Sequence, residues 1–158
     1  MAAYAPVNFQ STLTGAMQLV NAALQTACCQ GLYGTAATRA NGFAPGTVAQ
    51  QLFGNGNAAV TVGGSLLTST FVSAGPVAPV ALTLGTPSPL VNVAVFINTS
   101  QLVNDTWDTA ITLLHELGHV YNDVPSSGGS QISRGLSDFN GANDNLIVQD
   151  CLINKPTQ

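Results

Sequence analysis

Residues 105–121, DTWDTAITLLHELGHVY, constrain the fold of this chain more than any other stretch, because they read as one helix that is apolar on most of its faces. Asp105 is a good N-cap, and Asp108 places a second carboxylate in the first turn, where the helix dipole favours it. A helix from Thr106 to Tyr121 that is apolar on several sides has to be enclosed, so the rest of the chain must pack around it.

The flanking regions supply candidates for that enclosure. Between Asn8 and Cys28, the residues Leu13, Met17, Val20, Leu24 and Cys28 recur at three- and four-residue steps, the signature of an amphipathic helix, with Asn8 or Ser11 as its cap. The segment APGTVAQQLFGNG predicts a short second helix stopped by Gly54. From Asn57 to Asn98 the character changes to short β-prone runs, AAVTV, STFV, PVALTL and VNVAVFIN, separated by Gly, Ser and Pro. After the apolar helix come a long Gly/Ser/Asn-rich loop and a closing helix, DNLIVQDCLI, capped by Asn143 or Asp144. The predicted fold class is α+β: a small, mostly antiparallel sheet packed on the helix at 106–121, with N-terminal and C-terminal helices, in a single domain spanning 1–158. A chain of this length buries a core without needing metal or disulfides merely to fold.

Composition excludes several partners. The only basic residues are Arg39, Arg134 and Lys155, and the net charge is -4. No basic patch exists to neutralise a run of phosphates or to meet an anionic membrane surface, so neither nucleic acid nor membrane is an expected partner. Apolar stretches are broken well short of the about 18 residues that span a bilayer. The beginning, MAAYAPVNFQ, lacks the charged and apolar regions of a secretory signal, so a secreted chain with its signal removed, or a piece of a larger polypeptide, is expected. Cys28, Cys29 and Cys151 match neither a redox C-x-x-C nor a zinc ribbon. Adjacent cysteines rarely bridge each other, which predicts a long-range disulfide from Cys151 to Cys28 or Cys29. Cys29 is favoured because Cys28 continues the apolar stripe. A disulfide and the scarcity of lysine point to an extracellular setting.

Both histidines of the chain, His115 and His119, and its only glutamate, Glu116, fall within five consecutive positions of the apolar helix. Random placement of these three residues gives H-E-x-x-H about once in 10,000 trials, which makes coincidence a poor explanation. Positions i and i+4 share a helix face, so each histidine can direct one ring nitrogen at the same cation, and two imidazoles suit Zn2+. Glu116 is displaced about 100° around the axis, beside the pair, where a carboxylate can act as a base toward water. Two histidines merely satisfied by backbone partners are the bland alternative. It is disfavoured because unpaired charge inside an apolar helix costs several kcal/mol.

The stretch resembles the active-site helix of the zincin metallopeptidases. Thr112, Leu113, Leu117, Gly118, Val120 and Tyr121 fit the uncharged and hydrophobic slots around that family's HExxH. The match covers about ten residues. The later GGSQI and NDNLIVQDC are similar to zincin-like domains at the ends of large bacterial secreted proteins. The resemblance implies a zincin-like fold and a zinc endopeptidase acting on a peptide or protein substrate. In it a zinc-activated water attacks the peptide carbonyl while Glu116 takes the proton and returns it to the leaving amine. The peptide would lie along an edge strand. VNVAVFINTS is the candidate edge, and Asn98 a candidate contact to substrate backbone.

The metzincin extension fails, since Asn122 and Pro125 occupy its glycine and third-histidine positions. A glutamate ligand is unavailable, which leaves an aspartate, as in aspzincins, whose GTxxD is loosely matched by GLSD. Asp105 and Asp108 have capping roles, and Asp123 directly follows the helix. Asp138, 19 residues after His119 in the loop, is therefore the expected third ligand, with Asp144 and Asp150 as alternatives. The rival to an enzyme is a non-catalytic structural or adhesion domain of a larger secreted bacterial-type protein, in which zinc staples the helix to the following loop. Such a site has no need of Glu116.

Overall fold

The computed structural model describes residues 7–34, 44–50, 53, 59–62, 65–72, 81–87, 90–122, 130–132 and 140–153. The helix α1 (Val7–Ala23) forms as its stripe requires, with Phe9, Leu13, Ala16, Met17, Val20 and Ala23 buried along one face. It does not run on to Cys28. Thr26 ends it: its backbone N–H and its hydroxyl both donate to Ala23 O, at 2.9 and 2.8 Å. The same hydroxyl accepts from Cys29 N at 3.3 Å and so caps a second helix, α2 (Ala27–Gly31). The apparent stripe through Leu24 and Cys28 concealed this break; after the turn Leu24 is buried, whereas Cys28 faces outward and Cys29 takes the inner position. The short helix α3 (Pro45–Ala49) starts with proline at its first position, where the missing N–H has no helical partner to lose. Its expected stop, Gly54, lies outside the described residues.

The β-prone runs form β1 (Ala59–Val62), β2 (Ser65–Val72), β3 (Ala81–Pro87) and β4 (Leu90–Asn98), ordered β1-β2-β4-β3. β1/β2 and β3/β4 pair antiparallel, while the central pair β2/β4 is parallel, with Leu67 opposite Val93 and Val72 opposite Asn98. The run expected to be a substrate-binding edge is therefore an interior strand, flanked on both sides. Asn98 stands at its end.

The α+β architecture expected from the sequence is corrected by the packing. Where side-chain surroundings are described, 75% of the residues are helical, and the fold of that body is a helical one. The backbone of β3 runs beside α5, yet Ile97 is the single strand residue in the described core; the other buried apolar side chains belong to helices and to the non-strand segments beside them, such as Ile132 and Leu152. The reason is that α1 and the apolar helix offer complementary apolar faces that satisfy each other directly. Among the described side chains, helices enclose the site.

Beyond β4, α4 (Thr99–Leu102) leads into α5 (Thr106–Asn122), which carries the HExxH residues. Asp105 caps α5 as expected, its Oδ1 accepting from Asp108 N at 2.9 Å. The preceding Asn104 takes a positive φ of 64°, and its N–H donates to Thr12 Oγ1 of α1 at 3.1 Å. Where α1 crosses α5, Gly15 lets Thr106 approach so closely that a Cβ would stand 3.0 Å from its Cγ2. The last helix, α6 (Ala142–Asp150), packs on α5 and α2. Its N-cap is Gly141, at φ 76°, and makes no side-chain cap bond. The expectation that Asn143 or Asp144 caps this helix is thus corrected, since both lie inside its first turn.

A disulfide joins Cys29 of α2 to Cys151 at the end of α6, the pairing favoured from the sequence, but Cys28, which that reading placed on the apolar stripe, is exposed and free. Beside it, Tyr33 is fully buried, and its hydroxyl donates to Leu114 O of α5 at 2.9 Å. The 130–132 segment is held against this region by Gln131 N donating to Leu32 O at 2.7 Å and by a bridge between Tyr33 and Ser130. No helix among the described residues is long and apolar enough to cross a membrane.

Candidate metal centre

Rigid placement of the two imidazoles begins with α5 itself. Leu113, Leu114, Leu117 and Val120 are buried around the histidines and fix the rotation of the helix, so that His115 and His119 face the same way one turn apart. Their Nε2 atoms stand 3.1 Å from each other, with ring planes inclined at 68°. Two nitrogens bound tetrahedrally at about 2.05 Å to zinc lie about 3.3 Å apart, so the observed pair is within a small adjustment of a shared cation. His115, Glu116 and His119 each bring a ligand-type atom into a space no wider than 4.8 Å.

The environment sharpens the chemistry. Glu116 and His119 are only 4% and 5% exposed, so this carboxylate and imidazole have left water for the interior. Such groups are retained in an apolar body when something polar or ionic compensates them. His115 is more open, and its Nδ1–H donates to Asp144 Oδ1 at 2.8 Å. A carboxylate accepts only, which assigns the proton to Nδ1 and leaves Nε2 to present its lone pair toward His119 in the neutral ring.

The close approach of the chain over α5 depends on Gly118. A Cβ at this position would overlap the Cβ and Cγ1 of Ile132. Glycine between Glu116 and His119 therefore lets the 130–132 segment lie directly on the helix that carries the histidines.

His115, Glu116 and His119 are brought together as the sequence reading required. Asp138, the expected third ligand, lies outside the described residues, as do Asp123 and Arg134. Of the alternatives, Asp144 reaches the centre through the far nitrogen of His115. Asp150 lies about 9 Å further along the same helix axis. Asp105 and Asp108 remain at the start of α5. Tyr33 and Tyr121 are both core residues with ring centroids 5.9 Å apart. Tyr33 spends its hydroxyl on Leu114 O. Burial, with Tyr121 adding a smaller contribution, pushes its ionisation far above the ordinary value of 10.0. The contact that sequence reasoning missed is Asp144 to His115. Its available signal was an acidic residue, in a chain with seven, on a helix whose last cysteine pairs back to the first third of the chain.

No protein-family model matches the chain, and comparison with curated proteins and with solved structures likewise finds no match.

Proposed function

We propose that this protein is a zinc-dependent endopeptidase, secreted alone or as part of a larger polypeptide. The observation that carries the reading is the convergence of two imidazole Nε2 atoms at 3.1 Å, with a buried glutamate next to one of them in sequence. His115 and His119 hold the ion through Nε2, and Asp138 is the proposed third ligand. When bound, zinc supplies Lewis acidity, which makes water a nucleophile near neutral pH and polarises a carbonyl. Glu116 accepts the proton of the attacking water on its carboxylate and delivers it to the nitrogen of the departing amine. The apolar surroundings strengthen this exchange by excluding bulk water from the carboxylate. A disulfide between Cys29 and Cys151 suits an oxidising compartment and supports the extracellular placement.

One observation fits a second reading equally well, a zinc staple without catalysis. His119 and Glu116 are almost fully enclosed, which suits a closed structural site as well as a guarded catalytic one. Glu116→Gln separates the two, because the amide keeps the shape and removes the base. The expected result is one zinc per chain by elemental analysis in both proteins, lost in His115→Ala and His119→Ala, with hydrolysis of a denatured-protein or peptide-library substrate in the wild type alone. Zinc-loaded wild type that cleaves nothing in such a library defeats the peptidase reading and leaves the staple.

A further inference from the structure

On the reading that His115 and His119 hold a divalent cation, we propose that Asp144 is the positioning residue of that centre and that the Cys29–Cys151 disulfide acts on the metal through it. A neutral imidazole can carry its proton on either nitrogen and can turn about its side-chain bonds. A carboxylate on Nδ1 removes both freedoms, presenting Nε2 in one orientation and raising its basicity. Asp144 Oδ1, 2.8 Å from His115 Nδ1, occupies that place.

What matters next is what holds Asp144. It sits on α6, nine residues long, which is too short to be stable by itself and is located by its attachments. At one end Asn143 is 1% exposed, and in the middle Ile147 is fully buried. At the other end Cys151 is bonded to Cys29, itself fully buried on α2. From Cys29 the chain reaches Tyr33, whose hydroxyl donates to Leu114 O. Leu114 is the residue before His115. These links close a ring: from His115 to Asp144, along α6 to Cys151, across the disulfide to Cys29, through α2 to Tyr33, and back to α5 one residue from the start. The carboxylate is half exposed, at 50%, so the packing on Asp144 alone does not lock it. Opening the ring at the disulfide frees the end of α6, about 10 Å along the axis from Asp144, and lets the carboxylate leave the ring nitrogen.

The test is a cycle of zinc affinities, measured by competition with a chromophoric chelator on the wild type, Asp144→Ala, Cys29→Ala with Cys151→Ala, and the three changes combined. Alanine replaces both cysteines because free thiolates bind zinc themselves. Asp144→Ala is expected to weaken zinc binding about 10- to 100-fold with the helical circular dichroism unchanged. Asp144→Asn, which keeps an oxygen acceptor, recovers part of the loss. The protein lacking the disulfide is expected to bind more weakly than wild type, and the combined variant no more weakly than Asp144→Ala alone, because both act through one contact. Tyr33→Phe opens the same ring at a second link and replaces the cysteine pair in the cycle if that variant does not fold. Nitrogen NMR of the metal-free protein is expected to find His115 protonated at Nδ1 in the wild type and to lose that preference in Asp144→Ala.

Three results overturn the inference while leaving the metal reading intact. They are an Asp144→Ala affinity equal to wild type, losses from the ring-opening variant and Asp144→Ala that multiply, and a cobalt-substituted Asp144→Ala whose visible spectrum shows a lost ligand, which makes Asp144 a ligand itself. A wild type that takes up no zinc overturns both.

Discussion

Replacing Gly118 by alanine sets two effects of opposite sign against each other. On propensity alone, alanine in the interior of a helix is favoured over glycine by about 1 kcal/mol. Against that stands the new methyl group, which would overlap the Cβ and Cγ1 of Ile132 and come within 2.7 Å of its Cγ2. The obstruction lies at the root of the isoleucine side chain, so a rotamer change cannot clear it. The 130–132 backbone must move, and it is pinned by the 2.7 Å bond from Gln131 N to Leu32 O and by the Tyr33–Ser130 bridge. Overpacking of this kind costs about 1 to 3 kcal/mol, and the rigid surroundings place it near the upper end. The net expectation is a loss of about 2 kcal/mol, which for a chain of this size lowers the melting temperature by about 4 to 8 °C. Thermal and denaturant unfolding measure it directly. Ile132→Ala should relieve part of the effect, giving a coupling of about 1 kcal/mol in a double-mutant cycle. A Gly118→Ala protein as stable as wild type, or more so, would mean that propensity wins and that Ile132 does not press on the helix.

Two further outcomes concern the same body. Tyr33 keeps its proton in the folded chain at pH values where the unfolded chain loses it, so the folded state binds more protons above pH 10; stability is complete below that pH and falls by about 1.4 kcal/mol per unit above it. Denaturant titrations from pH 9 to 11 should show Tyr33→Phe flattening this slope, and an unchanged slope would place the alkaline sensitivity elsewhere. Removing the disulfide with Cys29→Ala and Cys151→Ala, which are separated by 122 residues, is expected to cost about 5 kcal/mol in the chain-entropy treatment. A loss under about 1 kcal/mol would show that the unfolded chain gains little freedom when the bond is absent.

What could be read from the sequence follows from how local each determinant is. α5 was legible almost to the residue because its cap, Asp105, and its apolar faces are properties of the segment itself. His115, Glu116 and His119 were legible as a cluster because helical spacing alone brings them together. The division of the first helix was hidden, since it depends on one hydroxyl, that of Thr26, serving two helices at once. Asp144 was misjudged as a cap for a tertiary reason. Gly141, at positive φ, begins α6, and the carboxylate turns to a histidine 29 positions earlier. Strand-forming composition between 59 and 98 gave strands, but propensity says nothing about what a strand packs against. An antiparallel sheet around α5 was accordingly expected where helices supply the described core.

The route of the covalent and hydrogen-bonded ring has a consequence for the order of events during synthesis. Ribosomes deliver a chain from its N-terminus at about 5 to 20 residues per second, and domains fold as units once their parts have emerged. The helix bearing His115 and His119 is made first, but the carboxylate that orients His115 follows roughly 25 residues after His119, and Cys151 later still. Until then Cys29 has no distant partner and only its neighbour Cys28 within easy reach. The two histidines are therefore made on a helix without its support, and the hydrogen-bonded His115 geometry is reached only when α6 docks. Oxidation of Cys151 then seals an arrangement that a nascent chain cannot hold.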